Sequence, residues 1–328
     1  MKHFLKAVPI PMCGLILGLA SLGNLMKAFN FVTVGNAMGI VAGAMMLLIL
    51  ARILFLPLHS LNDLKNPIVA SVAPTFTMAL MVLCTYLTIT PGLTALATII
   101  WLAAVVIHYA LVLYFTYVFV IKPEVGIQHV FPSWFIVYVG MGVVAVTSPS
   151  FSILLGQISF WIALVFYVLL LPIILYRVFV HKQMPEATLP LMTIVAAPGS
   201  LCLTGYLKSF SEPNVALAVA LLIVSQILYF VMLSKITRLR LDFYPSFAAF
   251  TFPVVICGIA ITTFNQIFAP AGVLGSIISI LSVLETIVAT IAVFFVLAHY
   301  AHFLYKEAQS IRQHQATDKL EAEEANKF

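Results

Sequence analysis

Apolar residues run through this chain in long blocks, separated by short breaks rich in proline, asparagine and charge. The blocks fall at 8–28, 33–56, 67–88, 93–120, 131–148, 154–178, 189–207, 214–234, 245–268 and 272–304. An α-helix crosses the hydrocarbon core of a bilayer in about 20 apolar residues, so the pattern predicts ten membrane-spanning helices. The fifth and sixth blocks are parted only by SPSFS, which leaves nine spans as the competing count. A transmembrane β-barrel would alternate apolar and polar positions over segments of about ten residues, and continuous runs do not. From Lys306 the pattern stops, and KEAQSIRQHQATDKLEAEEANKF is polar throughout, a frayed helix or a disordered tail with no assigned function. The expected organisation is a ten-span region at 1–305 and a polar cytoplasmic tail at 306–328.

Composition agrees with the pattern. Hydrophobic residues make up 63% of the 328 and charged residues 8%, against about 25% charged in soluble domains. The sixteen basic residues then orient the spans. With ten spans, fourteen of them fall in the terminal and even-to-odd loops, and only Lys27 and Lys208 fall in the opposite loops. Basic loops stay on the cytoplasmic side, so both termini are expected in the cytoplasm of a multi-pass protein of the cell (plasma or inner) membrane. Nine spans would scramble that partition. The net charge of +5 is thereby a topology signal and not a nucleic-acid one. The N-terminus, MKHFLKAVPIPMCGLILGLASLG, imitates a signal peptide, but Pro9, Pro11, Gly14 and Gly18 read as parts of a retained span. Cys13, Cys84, Cys202 and Cys257 all lie in apolar runs with no CxxC or Cys/His ligand spacing. They read as small hydrophobes, and the chain calls for no metal or other cofactor.

Odd and even blocks differ. Pro11, Pro74, Pro198 and Pro253 sit inside or at the start of the first, third, seventh and ninth blocks, and VAPT, AAPG and FTFP rhyme around the last three. Val137 interrupts the series in the fifth block, where Gly140 and Gly142 would loosen a helix instead. Among even blocks only the sixth carries an interior proline, Pro172. Proline removes a backbone donor and clashes one turn back, and irregular backbone at membrane depth is tolerated only where protein buries it or water reaches it. The expected fold is an all-α polytopic membrane protein, ten transmembrane helices as five helical hairpins in a ring, with the broken odd helices lining a central pore. The competing explanation is the general abundance of proline in membrane helices.

Gly14, Pro74, Pro198 and Pro253 would shape such a pore. No Lys or Arg lies deep in an odd block, so the candidate lining groups are hydroxyls: Thr75, Thr77, Ser200, Thr204 and Thr251. Hydroxyl dipoles solvate an ion weakly, favouring throughput and easily dehydrated anions; equally, each could bond back to its own helix. Glu285, in LSVLETIVATIAVFF, is the only acidic residue well inside a block. An intramembrane carboxylate is a functional candidate, here a proton site, although an even helix also suits a helix-contact role. His108 on an even block reads as structural, and His299 and His302 as interfacial. Enzymatic chemistry would need paired acids, a metal cluster or an activated nucleophile, none of which this pattern supplies.

Several local stretches resemble one family: CGLILGLASLG around Gly14, NPIVASVAPTFTM (66–78), FPSWF (131–135), IVAAPGSLCLTGYL (194–207) and AAFTFPVVICGIA (248–260). The chain is similar along nearly its whole length to the TehA, or tellurite-resistance/dicarboxylate transporter (TDT), family, which includes the plant slow-type (SLAC) anion channels. It departs from that family at Val137, in place of the fifth-span proline, and at Ala248, in place of a ninth-span aromatic. The resemblance implies a homotrimer with a pore in each protomer, small inorganic or carboxylate anions as the permeant species, and a phenylalanine of the ninth helix as the plug. By position that plug is Phe252; the plainer alternative is one of 25 phenylalanines packing a core. The implied function is a gated, passive anion channel. The alternative is a proton-coupled carrier of C4-dicarboxylate, sulfite or tellurite-type oxyanions, with Glu285 as the proton site.

Overall fold

The structure, a computed structural model, describes residues 2–325, with side chains to Gln313. Its regular secondary structure is helical throughout. Among the described residues, eight helices are long and apolar enough to cross a membrane: α2 (Val32–Phe55), α3 (Pro67–Leu87), α4 (Thr94–Ile121), α6 (Ile153–His181), α7 (Glu186–Ser209), α8 (Val215–Ile236), α9 (Pro245–Phe268) and α10 (Gly272–Gln313). Before them lies α1 (Met12–Ala28), apolar but only 17 residues long. The block at 131–148 forms no continuous helix. It folds as α5, two short helices at Trp134–Tyr138 and Gly142–Thr147. Between the halves the ladder tightens to i→i+3 bonds, from Gly142 N–H to Val139 O, Val143 to Gly140 and Val144 to Met141. The polar tail continues α10 as helix to Ala325, and residues 326–328 lie outside the described residues.

The prolines mark helix starts. Pro74 separates the two halves of α3, Pro67–Val72 and Thr75–Leu87. α7 begins as a 3-10 helix, Glu186–Ala196, and becomes α-helical at Ala197, with Pro198 in the first turn. α9 repeats this, with a 3-10 helix at Pro245–Phe250, a break at Thr251, and an α-helix from Phe252 with Pro253 in its first turn. Pro11 caps α1. A first-turn residue has no intrahelical use for its N–H, so proline fits there without loss while denying continuation to the helix behind it.

Burial separates two classes of helix. The apolar cores of α7 and α9 are 89% buried and that of α3 is 67% buried, against 33–39% for α2, α4, α6, α8 and α10. α1 is buried without interruption from Met12 to Gly23. The exposed apolar side chains recur every two turns on the other class, as Ile40, Leu47 and Leu54 on α2 and Ile99, Val106 and Leu113 on α4, a single outward stripe. Each odd segment packs on the even helix that follows it. The odd segments also pack on one another: α1 on α3, α3 on α5, α5 on α7, α7 on α9, and α9 back on α1.

The last of these contacts is the tightest. A Cβ at Gly18 would lie 2.6 Å from the Thr251 Cβ, and one at Gly14 3.2 Å from the Ala248 Cβ. The Thr251 hydroxyl reaches the Gly14 carbonyl at 3.0 Å and the Ala248 carbonyl at 2.6 Å. Glycine in α1 thus lets the irregular backbone of α9 lie directly on a helix surface. Two of the fourteen basic residues assigned to the cytoplasmic loops turn out to be buried. Arg52 pairs with Asp63, and Arg177 donates to the carbonyls of Val130, Lys182 and Gln183, holding the left-handed turn at Lys182 and Gln183 that ends α6.

Gly18→Val is expected to push α1 off the α9 break and to destabilise the protein by about 1–3 kcal/mol, as overpacking does. Thermal unfolding in detergent checks this; an unchanged midpoint would mean that the two backbones have room to spare.

Candidate permeation site

Two cavities meet at Phe252. The first, about 50 Å3, is apolar; Pro11, Gly14, Val139, Pro198, Ala248 and Pro253 are on its wall, and among its described lining residues Thr75 and Ser246 carry the only hydroxyls. The second, about 520 Å3, is the more polar of the two, with Asn24, Lys27, Thr85, Lys208 and Gln266 set among apolar side chains on its wall. Both are lined only by odd segments and the residues that directly flank them. Phe252 and Leu201 line both cavities. These two side chains, from α9 and α7, form the partition.

The local sequence explains their seats. Phe252 opens the α-helical half of α9, one residue past the break at Thr251, and is 8% exposed. Pro253 has no N–H for the Ala249 carbonyl, and Ala249 is on the apolar cavity wall. Leu201 projects from the first turns of the α-helical half of α7 toward α5, where a Cβ on Gly142 would come within 2.9 Å of the Leu201 Cγ. Glycine at 142 makes room for that leucine.

Of the sequence-derived candidates, Gly14, Thr75, Pro198, Pro253 and Phe252 share the apolar cavity. Pro74, Thr77, Ser200, Thr204 and Thr251 are not among the described residues lining either cavity. Their hydroxyls bond within the protein. Thr77 Oγ1 lies 2.8 Å from the Pro74 carbonyl and 2.8 Å from His108 Nδ1. Ser200 Oγ donates to Cys257 Sγ at 3.3 Å, and Thr204 Oγ1 to the Ser200 carbonyl at 2.9 Å. Even Thr75 turns its hydroxyl to the Val72 carbonyl, at 2.6 Å. Glu285 is 1% exposed on α10 beside the Gln226 amide of α8, and is on neither cavity wall.

Sequence reasoning missed Leu201, Lys27 and Lys208. Leu201 carries no local signal, being one aliphatic residue in an aliphatic run. The lysines did carry one, as the only two basic residues outside the loops expected to be cytoplasmic.

A family profile described as voltage-dependent anion channel (SLAC1) matches residues 7–301. The chain belongs to that family. The match spans every helix from α1 to α9 and the apolar part of α10, and so includes the walls of both cavities. A curated relative, an uncharacterized transporter of Methanocaldococcus jannaschii, is 23% identical over 226 residues, covering 60% of this chain and 65% of that protein. In this SLAC1-family chain the long apolar helices are those of a multi-pass membrane protein.

His108 is fully buried, with Thr77 as its side-chain partner. Thr77→Val strands the imidazole and should cost about 1–3 kcal/mol, the penalty for a buried polar group left unpaired. Thr75→Val, which frees no second side chain, should cost less. Melting midpoints of the two variants in detergent decide this; equal losses would contradict the assignment of Thr77 to the packing behind the cavities.

Proposed function

We propose that this chain is a passive anion channel, or channel-like transporter, in which small inorganic or carboxylate anions pass between the five odd segments and are held back at Phe252. The observation that carries the reading is the pair of cavities, one on each side of Phe252 and Leu201, with walls drawn only from odd segments. The closed order of contacts among those segments supports five hairpins arranged as a ring with the broken helices inside. On this reading α1, which starts at the Pro11 break, and α5, which is broken at Gly140, complete a count of ten crossings.

Anion preference has a physical source in the same breaks. The α-helical parts starting at Met12, Thr75, Ala197 and Phe252 all begin at the apolar cavity, where Pro11, Thr75, Ala197 and Phe252 are wall residues. A helix start carries roughly half a positive charge, because its peptide dipoles are aligned. Four of them around an apolar cavity favour an anion without a basic side chain that would hold it fast. Two large apolar side chains then close the path by excluding water, as hydrophobic constrictions do.

Glu285 lies off both walls, which favours passive flux over proton-coupled carriage of dicarboxylate, sulfite or tellurite. The rest of the reading follows the charge distribution and the resemblance: a pore region at 1–305, a cytoplasmic polar tail at 306–328, both termini in the cytoplasm of a cell-membrane protein, and a homotrimer with one path per protomer.

Phe252→Ala should raise chloride or nitrate flux into proteoliposomes at least tenfold, equivalent to about 1.4 kcal/mol off the barrier. Flux equal to that of the unaltered protein, at equal reconstitution, would remove Phe252 from the path.

A further inference from the structure

We propose that the polar cavity is an anion-capture site, in which Lys27 and Lys208 draw small anions from the non-cytoplasmic side and present them to the Phe252–Leu201 partition. The proposal rests on the channel reading and adds to it a binding station with named residues. Only two of the chain's sixteen basic residues fall on that side of the topology, and both are on the wall of this one cavity. Residues left over from loop composition would have no reason to converge.

Each lysine is placed for an anion. The Lys27 ammonium rests 3.6 Å from the centroid of the Tyr86 ring, and its Nζ is buried without a hydrogen-bond partner. The ring is itself held, because the Tyr86 hydroxyl donates to the Ala20 carbonyl at 2.6 Å. A cation over an aromatic face keeps its charge and its three donors, so the ammonium needs only to swing off the ring to meet an anion and breaks no hydrogen bond in doing so. Lys208, in the last turn of α7, is exposed and forms part of the same wall.

The remaining polar wall completes the set of donors. Asn24 and Gln266 contribute amides; Asn24 Nδ2 donates to the Thr85 hydroxyl at 3.2 Å, which itself donates to the Val82 carbonyl at 2.7 Å. No Asp or Glu is among the described residues lining the cavity, so no internal carboxylate competes for the lysines. A cleft carrying one sign of charge between low-dielectric walls concentrates its counter-ion. The apolar cavity across the partition has no basic side chain among its described lining residues, so capture is one-sided. The ligand class is small monovalent anions, namely halide, nitrate and short carboxylates, that share charge and size rather than a particular shape.

The test uses the full chain carrying Phe252→Ala, reconstituted in liposomes, with chloride as the probe and its concentration varied on one face at a time. Lys27→Gln with Lys208→Gln should raise the half-saturating chloride concentration on the non-cytoplasmic face roughly tenfold, leave the cytoplasmic face unaltered, and leave the maximal rate nearly unchanged. Lys208→Arg should retain the parent value. As a check independent of folding, Lys208→Cys should recover low-concentration flux after reaction with a trimethylammonium-bearing thiosulfonate, and lose more after reaction with a sulfonate-bearing one. The four native cysteines are buried and leave the reagents one target. Unchanged half-saturation in the lysine variants, with flux intact, overturns the capture site and leaves the channel standing. Absence of anion flux in the Phe252→Ala parent overturns the channel reading, and the capture site falls with it.

Discussion

Backbone N–H and C=O groups have no water to bond at bilayer depth, and everything distinctive about this protein follows from where it places the ones its helices leave free. Five segments are interrupted, at Pro11, Pro74, Gly140, Pro198 and Pro253. An interruption facing lipid would leave carbonyls and amides unsatisfied at a cost of several kcal/mol each. The interrupted segments are accordingly the more buried ones, and the straight helices carry the exposed apolar faces. Alternation of broken and unbroken helix along the chain thus becomes alternation of buried and exposed helix.

The same breaks do chemical work. Each creates a helix start within the protein's interior, and four of these starts meet at one apolar cavity. In α9 the break also sets Phe252, because the α-helix resumes at that residue and Pro253 prevents it from resuming one turn earlier. Gly14 and Gly18 let α1 accept the irregular backbone, with the Thr251 hydroxyl bridging to the Gly14 carbonyl. Partition, dipoles and close packing therefore share one cause, and a change at any of these positions disturbs more than a local contact.

Much of this was legible in the chain before any coordinates. Proline spacing separated the two helix classes, and the Phe252–Pro253 pair fell where two cavities meet. The fifth segment was read as one span and is two short helices, because Gly140 and Gly142 interrupt it more thoroughly than a single proline does the others. The hydroxyl candidates were chosen by residue type, and type does not tell which way a side chain turns on a helix: Thr77, Ser200 and Thr204 all face protein and bond there. Leu201 was invisible, since its role depends on Gly142, nearly sixty positions earlier, leaving space for it. Lys27 and Lys208 were counted for orientation alone, because convergence on one cavity is a tertiary property.

The central claim is that one continuous path between the odd segments is interrupted at Phe252 and nowhere else along α9. Single cysteines placed from Ser246 to Gln266 in a background without the four native cysteines, and probed with membrane-impermeant thiol reagents from each face, measure it directly. Ser246 and Ala249 should react only from the cytoplasmic face, and Ile259, Thr263 and Gln266 only from the other, with the change of side falling at Phe252. Reaction of both groups from one face, or protection of the Ile259–Gln266 positions from both, would contradict the account.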